Sequence, residues 1–264
     1  MDKKILITND DGVYAAGILA AYKSVCDLGT ITISAPSIQQ SGVGRSMSIF
    51  EPLRIAPAKL NGGISAYAIS GTPADSVILG MFAIMKEKPD LVISGFNMGE
   101  NISTDTINIS GTIGAAMEAA SYGIPSIAVS IQATDDGMKF DDLRDFEHDY
   151  DVGIKIVNKI AKNVLKDGLP NNVDFLNINI PAFVDDNPDI EITTLSRKKI
   201  YNTNVEIRHD PRGRPYYWII GDSIKNDVVG TDVYALLKKK AISITPVSLD
   251  PTALVEPSTI EKLL

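Results

Sequence analysis

The sequence predicts an α/β fold: a Rossmann-like, mostly parallel sheet with helices on both faces, plus a projecting β-hairpin and a C-terminal extension. Three observations carry this. Through the first half of the 264-residue chain, short β-branched runs alternate with helix-length segments. The run Leu91-Val92-Ile93-Ser94 is apolar on both faces, as a strand covered on both sides must be. Each run then gives way to a loop rich in Gly, Asn, Asp and Ser.

Taken in order, residues 5–8 predict a first strand, 17–26 a helix and 31–34 a second strand. Residues 66–69 predict another strand, followed by a helix opened by Gly71-Thr72-Pro73-Ala74-Asp75, where Pro follows a Thr cap. After the strand at 91–94, residues 111–122 form an Ala-rich helix ending at Gly123, which feeds the strand Ser126-Ile127-Ala128-Val129-Ser130. An acidic run at 135–151 reads as a solvated loop and helix start. An amphipathic helix near 152–165 and a strand near 174–180 follow. Residues 198–221 alternate around the turn Asp210-Pro211-Arg212-Gly213, giving a long hairpin whose Tyr216-Tyr217-Trp218 suits an oligomer contact. A helix–strand unit at 232–244 closes the fold. We expect residues 1–195 to be the core carrying the active site, and 196–264 the hairpin and C-terminal segment used in oligomer exchange.

With 44% hydrophobic residues, the chain can bury a core without disulfides or structural metals. Its single cysteine, Cys26, fits a reducing compartment and is expected to fill core space. Asp2, Lys3 and Lys4 lead straight into a strand without a signal pattern, and nothing approaches 18 unbroken apolar residues, so a cytoplasmic protein with no membrane contact is expected. A net charge of −8 argues against a stable complex with nucleic-acid backbone, but not against a small phosphorylated ligand.

In an open parallel sheet, ligands bind at the carboxyl ends of the strands. Four polar loops are predicted at that end: those holding Asp10 and Asp11, Ser41-Gly42-Val43-Gly44, Gly71-Thr72, and residues 95–101. In Thr8-Asn9-Asp10-Asp11-Gly12-Val13, two adjacent carboxylates sit where the first strand ends and a glycine lets the chain turn. Like charges held that close call for a cation between them, and a cap on the following helix is the competing local explanation. Ser41 and Asn97 can add neutral oxygens, although a loop turn and an Asx turn also explain them locally. Oxygen ligands without His or Cys suit Mg2+, Mn2+ or Ca2+ rather than zinc. Such an ion would leave positions for water and a phosphate oxygen, as phosphoester hydrolysis requires.

Ser110-Gly111-Thr112 opens a helix whose free N–H groups can cradle a phosphate, or is a plain Ser cap. Arg45, Arg208 and Arg212 are the arginines best placed to meet an anion. With histidine only at His148 and His209, a His-dependent serine triad is improbable.

Read together, these segments resemble the SurE family of stationary-phase survival proteins, metal-dependent 5′/3′-nucleotidases. The resemblance rests on Ile5-Leu6-Ile7-Thr8-Asn9-Asp10-Asp11-Gly12, Ala35-Pro36 through Gln40-Ser41-Gly42, Ser70-Gly71-Thr72-Pro73-Ala74-Asp75-Ser76-Val77, and Ser94-Gly95-Phe96-Asn97-Met98-Gly99-Glu100-Asn101. Further on it includes Ser110 through Glu118, Pro211-Arg212-Gly213 with Tyr217-Trp218, and Thr231-Asp232-Val233-Tyr234-Ala235-Leu236 leading to Ser243-Ile244-Thr245-Pro246. It implies one divalent cation, Mg2+ or Mn2+, on Asp10, Asp11, Ser41 and Asn97. It also implies phosphate-side contacts at Asn101, Ser110, Gly111 and Thr112, with Gly42 beside them, a swapped C-terminal hairpin, and a homodimer or tetramer. One segment departs from the family: Lys238-Lys239-Lys240-Ala241 stands where a glycine-containing turn is usual.

The function expected is hydrolysis of nucleoside 5′-monophosphates, and of 3′ ones if the family's breadth holds, with Asp10, Asp11 and Asn97 catalytic. Water or Asp10 itself is the attacking group. The alternative is a nucleotide-binding sensor without turnover. A haloacid-dehalogenase-like phosphatase ranks below both, because it needs Asp-x-Asp where this chain has Asp-Asp.

Overall fold

The computed structural model describes residues 2–134, 149–223 and 227–264. The expectation for the acidic run therefore lies outside the described residues, save for its last three, and so does His148. Helix α1 (Ala16–Val25) follows β1 (Lys4–Thr8), and β2 (Thr30–Pro36) follows α1. Next come β3 (Ile55–Lys59), β4 (Ser65–Ile69), α2 (Pro73–Leu79) and β5 (Leu91–Met98). Two helices, α3 (Ser103–Ile107) and α4 (Gly111–Ser121), lead to β6 (Ser126–Ile131). Beyond the gap lie α5 (Asp151–Asp167), β7 (Phe175–Ile180), β8 (Ile190–Ile192), β9 (Tyr201–His209), β10 (Pro215–Ser223), β11 (Ile242–Val247) and α6 (Pro257–Glu261).

The main sheet has nine strands in the order β3-β4-β2-β1-β5-β6-β7-β11-β8. Six of them (β4, β2, β1, β5, β6 and β7) run parallel, while β3 and β11 pair antiparallel at the two flanks. The predicted parallel sheet is thus present, and its loops open at one end. Strand alternation assigns the two faces. Ile5, Ile7, Ile93, Val129 and Ile178 pack with Ile18 and Val25 of α1 and with Val157 and Val164 of α5. Leu6 and Val92 point the other way, onto Val77 of α2 and Ala115 and Ala119 of α4. Each of the Val, Leu and Ile side chains among these, fully buried, contributes on the order of 1.5–3 kcal/mol.

Close approach fixes where α1 begins. A Cβ on Gly17 would lie 2.0 Å from the Phe96 carbonyl oxygen, so only glycine lets the helix sit on β5. The predicted Thr–Pro start of α2 is a full capping box: Thr72 Oγ1 accepts from Asp75 N, and the Asp75 carboxylate accepts from Thr72 N. Cys26 departs from expectation. It is exposed at the C-terminal end of α1, one residue beyond the last helical position, rather than filling the core.

The hairpin β9–β10 forms its own two-stranded sheet with His209 opposite Pro215. Its root is tied to the core through Asp232, which is wholly buried and accepts from Ser103 N, Ser196 N and Val233 N at 2.7–2.8 Å. Among the described residues no helix is long and apolar enough to cross a membrane.

The segment that departs from the family turns at Lys240, which takes the left-handed conformation (φ 60°, ψ 30°) that glycine adopts freely. For a residue with a Cβ this conformation costs roughly 1–2 kcal/mol. The side chain is exposed, so nothing is lost with it. Lys240→Gly is expected to raise stability by about 1 kcal/mol in urea unfolding; an unchanged or lowered midpoint would show that the turn carries no strain.

Candidate active site

The strand β1 ends at Thr8, and the next four residues form a tight corner. Asn9 Nδ2 donates to Gly12 O (3.0 Å) and Gly12 N donates to Asn9 Oδ1 (3.2 Å), with Gly12 at φ 102°. This corner lifts Asp10 and Asp11 out of strand alternation, so that both carboxylates stand at the carboxyl end of the sheet.

Asp10 is only 5% exposed and is held from three sides. Its carbonyl oxygen accepts from Gln40 N at 2.7 Å, which brings the loop after β2 against it. The hydroxyl of Thr112, in the first turn of α4, donates to Asp10 Oδ1. Gly111 leaves room for the carboxylate, since a Cβ there would meet Asp10 Cβ at 2.7 Å and Oδ2 at 3.1 Å. Asp11 is partly exposed, and its Oδ2 accepts from Met98 N at 3.1 Å. Burial raises the pKa of Asp10 above the usual carboxylate range, and the Thr112 hydroxyl offsets part of this. Asp11 is pushed further up, by burial and then by the Asp10 charge beside it. Tyr150, close enough for the Asp11 charge to act on it, is raised to about 12, chiefly by burial.

Asn97 reaches the same place because β5 is irregular. Ser94 pairs with Ala128 and Asn97 with Ser130, so one extra residue is accommodated in a bulge. Gly95 makes the bulge possible, at φ 128° with only 2.1 Å between a would-be Cβ and Val129 O. The Asn97 Nδ2 donates to Gly99 O at 2.6 Å, which leaves Oδ1 as the free acceptor.

Ser41 follows Gln40, the residue bonded to Asp10, and its side chain is exposed. The rest of that loop is clamped to α4. Gly44 N donates to Ile109 O (2.8 Å), a Cβ on Gly114 would lie 2.2 Å from Gly44 O, and Arg45 Nε meets the buried Glu118 at 2.7 Å. Thr72 and Asp75 secure its far end through Ser46 O and Ser48 N.

The structure therefore gathers Asp10, Asp11, Asn97, Gly111 and the loop carrying Ser41 and Gly42. Three other predicted contacts are engaged inside the protein. Ser110 caps α4 by accepting from Ile113 N (3.2 Å), Thr112 supports Asp10, and Asn101 lies in a buried network with Ser130, Asn177 and Asn179. Gly42 is exposed at φ 75° with open space around it. Arg45 is paired with Glu118 and Arg208 with Glu206, while Arg208, Arg212 and His209 lie along the hairpin. Asn177 and Asn179 went unnoticed in the sequence. Their signal was present, since two asparagines at i and i+2 put amides on one face of a buried strand, where asparagine is depleted.

The donors fit a hard divalent cation. Among the described residues no group of three or more His, Cys, Asp or Glu side chains converges. An ion here would take two carboxylates and complete its shell with Asn97 Oδ1, Ser41 Oγ and water or ligand oxygens. The buried hydroxyls of Thr8 and Ser94, neighbours across β1 and β5, lack protein partners and can serve ordered water below the site.

A family model described as Survival protein SurE matches residues 5–202. The chain belongs to the SurE family. A relative from Methanococcoides burtonii named 5′-nucleotidase SurE is 66% identical over 264 residues, covering all of both chains. One of the same name from Methanosarcina acetivorans is 63% identical over 265 residues, covering 100% of this chain and 98% of its own. The crystal structure of the SurE protein from Aquifex aeolicus superposes with a TM-score of 0.78 at 34% identity, over 98% of this chain and 99% of that one.

Asp11→Asn removes one of two crowded charges while keeping an acceptor for Met98 N. In EDTA the variant is expected to be more stable than the parent by about 1–2 kcal/mol, the scale of one pKa unit. A lower melting temperature in EDTA would contradict the repulsion inferred between the two carboxylates.

Proposed function

We propose that this chain is a 5′-nucleotidase, a metal-dependent hydrolase that splits the phosphomonoester of a nucleoside 5′-monophosphate into nucleoside and inorganic phosphate. One observation carries the reading: at the ligand-binding end of the sheet Asp10 meets the N-terminus of α4, while its neighbour Asp11 bonds Met98 beside Asn97. Support comes from full-length relatives above 60% identity that bear the name of this activity.

Asp10, Asp11, Ser41 and Asn97 would hold one divalent ion, Mg2+ or Mn2+. When bound, the ion supplies the positive charge that a phosphate dianion needs beside two carboxylates, and it draws electron density from phosphorus. The chain's own residues do the rest. Thr112 fixes Asp10, the Met98 N–H fixes Asp11, and the Gly44–Gly114 contact and the Arg45–Glu118 pair hold the loop bearing Ser41 and Gly42 against α4. The main-chain N–H of Gly111, at the positive end of α4, faces the charge that grows on the phosphate oxygens. Ser110 keeps that helix end in shape.

Water adds to phosphorus as the bond to the 5′ oxygen breaks. A site carboxylate takes one proton from the water and passes it to the leaving 5′ oxygen, so that the nucleoside leaves as an alcohol, phosphate keeps the other proton and the carboxylate is regenerated. We favour water over direct attack by Asp10, because Asp10 is buried and one of its oxygens is committed to Thr112. A phospho-enzyme trapped by acid quench would reverse that choice.

Residues 1–195 are proposed as the catalytic core and 196–264 as the segment through which two or more chains associate. On the hairpin, Tyr217, Trp218 and Ile219 are more than half exposed although large and apolar. A monomer mass by sedimentation at micromolar concentration would remove this part. A cytoplasmic location accords with the single cysteine.

The deciding experiment is phosphate release from nucleoside 5′-monophosphates with Mn2+ or Mg2+, then with excess EDTA. Release that EDTA stops and metal restores is expected, and Asp10→Asn should lower it by roughly a hundredfold or more. Nucleotide binding without release under either metal would instead identify a sensor.

A further inference from the structure

Strand β7 is buried, yet it carries two asparagines whose side chains point to the same face and are wholly inaccessible. Burying an amide costs free energy unless its donors and acceptors are satisfied. Here they are satisfied by one residue of another segment. The Asn179 amide brackets Asn101, accepting from its main-chain N–H at 2.8 Å and donating to its carbonyl at 3.1 Å. Asn177 donates to that same carbonyl at 2.8 Å and accepts from Asn179 at 3.2 Å. On the adjoining strand, Ser130 Oγ accepts from Asn101 Nδ2 at 2.8 Å. Since the backbone groups have fixed polarity, both β7 amides can be oriented only one way.

The anchored residue closes the loop that leaves β5. Asn97 stands beside Ser130 in the sheet register, Ser130 beside Asn179, and Gly99 N donates to Ile131 O at 2.8 Å. A row of three polar residues thus crosses β5, β6 and β7 where a purely apolar row would pack as well. Apart from the bond between Asn177 and Asn179, the side-chain bonds of this network go to Asn101, in the segment between Asn97 and α3.

We propose that Asn177, Asn179 and Ser130 are positioning residues that hold the 97–101 segment, and with it Asn97, whose amide donates to Gly99 O and whose neighbour Met98 bonds Asp11, in place beside the two carboxylates. Among the described residues the network makes no hydrogen bond to Asp10 or Asp11, and it reaches the segment through the main chain and amide of Asn101. After the bulge at Gly95, Asn97 and Met98 pair again with Ser130 and Ile131, but β5 ends at Met98, and the asparagines hold Asn101 where the ladder has stopped. This inference rests on the reading of Asn97 as a cation ligand.

Mn2+ binding by calorimetry, together with kcat and KM for a nucleoside 5′-monophosphate at saturating Mn2+, tests it. The parent is compared with Asn179→Ala, Ser130→Ala and Asn97→Ala, well below each melting temperature. The expected result is a Kd for Mn2+ weakened about tenfold in Asn179→Ala, less in Ser130→Ala, and most in Asn97→Ala. In the two network variants kcat, counted per Mn2+ site found by calorimetry so that any unfolded fraction drops out, should fall while KM stays within about threefold of the parent. A general loss of stability would lower the number of sites and leave kcat per site and the Mn2+ Kd unchanged. Mn2+ affinity and kcat within twofold of the parent in both network variants, with Asn97→Ala impaired, overturns the positioning role. Unchanged Mn2+ binding in Asn97→Ala overturns the ligand reading instead, and the proposal with it. If Asn179→Ala does not fold, Ser130→Ala decides alone by the same criteria.

Discussion

Two neighbouring carboxylates, Asp10 and Asp11, are held together at the end of a buried strand although they repel, and much of the surrounding structure exists to keep them there. A protein selected only for stability would not place adjacent carboxylates where burial raises the pKa of both and the Asp10 charge raises that of Asp11 further. Each is restrained by a partner distant in sequence: Thr112 for Asp10 and the Met98 N–H for Asp11. Glycine at 111 then clears the space that lets the first turn of α4 come up against Asp10. The electrostatic cost is met by β1, whose apolar residues lock the corner between the two helical layers.

Polar residues in the interior follow the same logic at one remove. Asp232 fixes Ser103 in a left-handed conformation (φ 68°) at the start of α3. Asn177 and Asn179 grip Asn101 a few residues earlier. The stretch from Asn97 to Ser103 is therefore bonded on one side to the sheet and on the other to the root of the hairpin, where Tyr201 also reaches Glu100. The segment is thus fixed at both ends, as the proposed cation site would require of a chain that carries one of its ligands.

Most of the architecture could be read from the chain because it rests on short-range patterns. Alternating and continuous apolar runs marked β1, β2, β4, β5, β6 and β7, and the Thr–Pro start of α2 and Gly123 after α4 marked helix boundaries. Edge elements escaped notice. β3 contains Pro57, which its flank position tolerates, and β8 has three residues. The length of β5 was underestimated because the bulge at Gly95 looks like a strand end. At the site, Asp10 and Asp11 were visible as an oddity of composition, while the roles of Thr112 and Asn101 were not. Their partners lie 102 and 78 residues away along the chain, and no local periodicity encodes a hydrogen bond of that span.

The account stands or falls on where a cation binds, and diffraction from a Mn2+-soaked crystal at the manganese edge would show it directly. The predicted result is one anomalous peak within about 2.0–2.4 Å of carboxylate oxygens of both Asp10 and Asp11, with Asn97 Oδ1 and Ser41 Oγ completing the protein ligands. A peak elsewhere, or one that touches neither carboxylate, would contradict it.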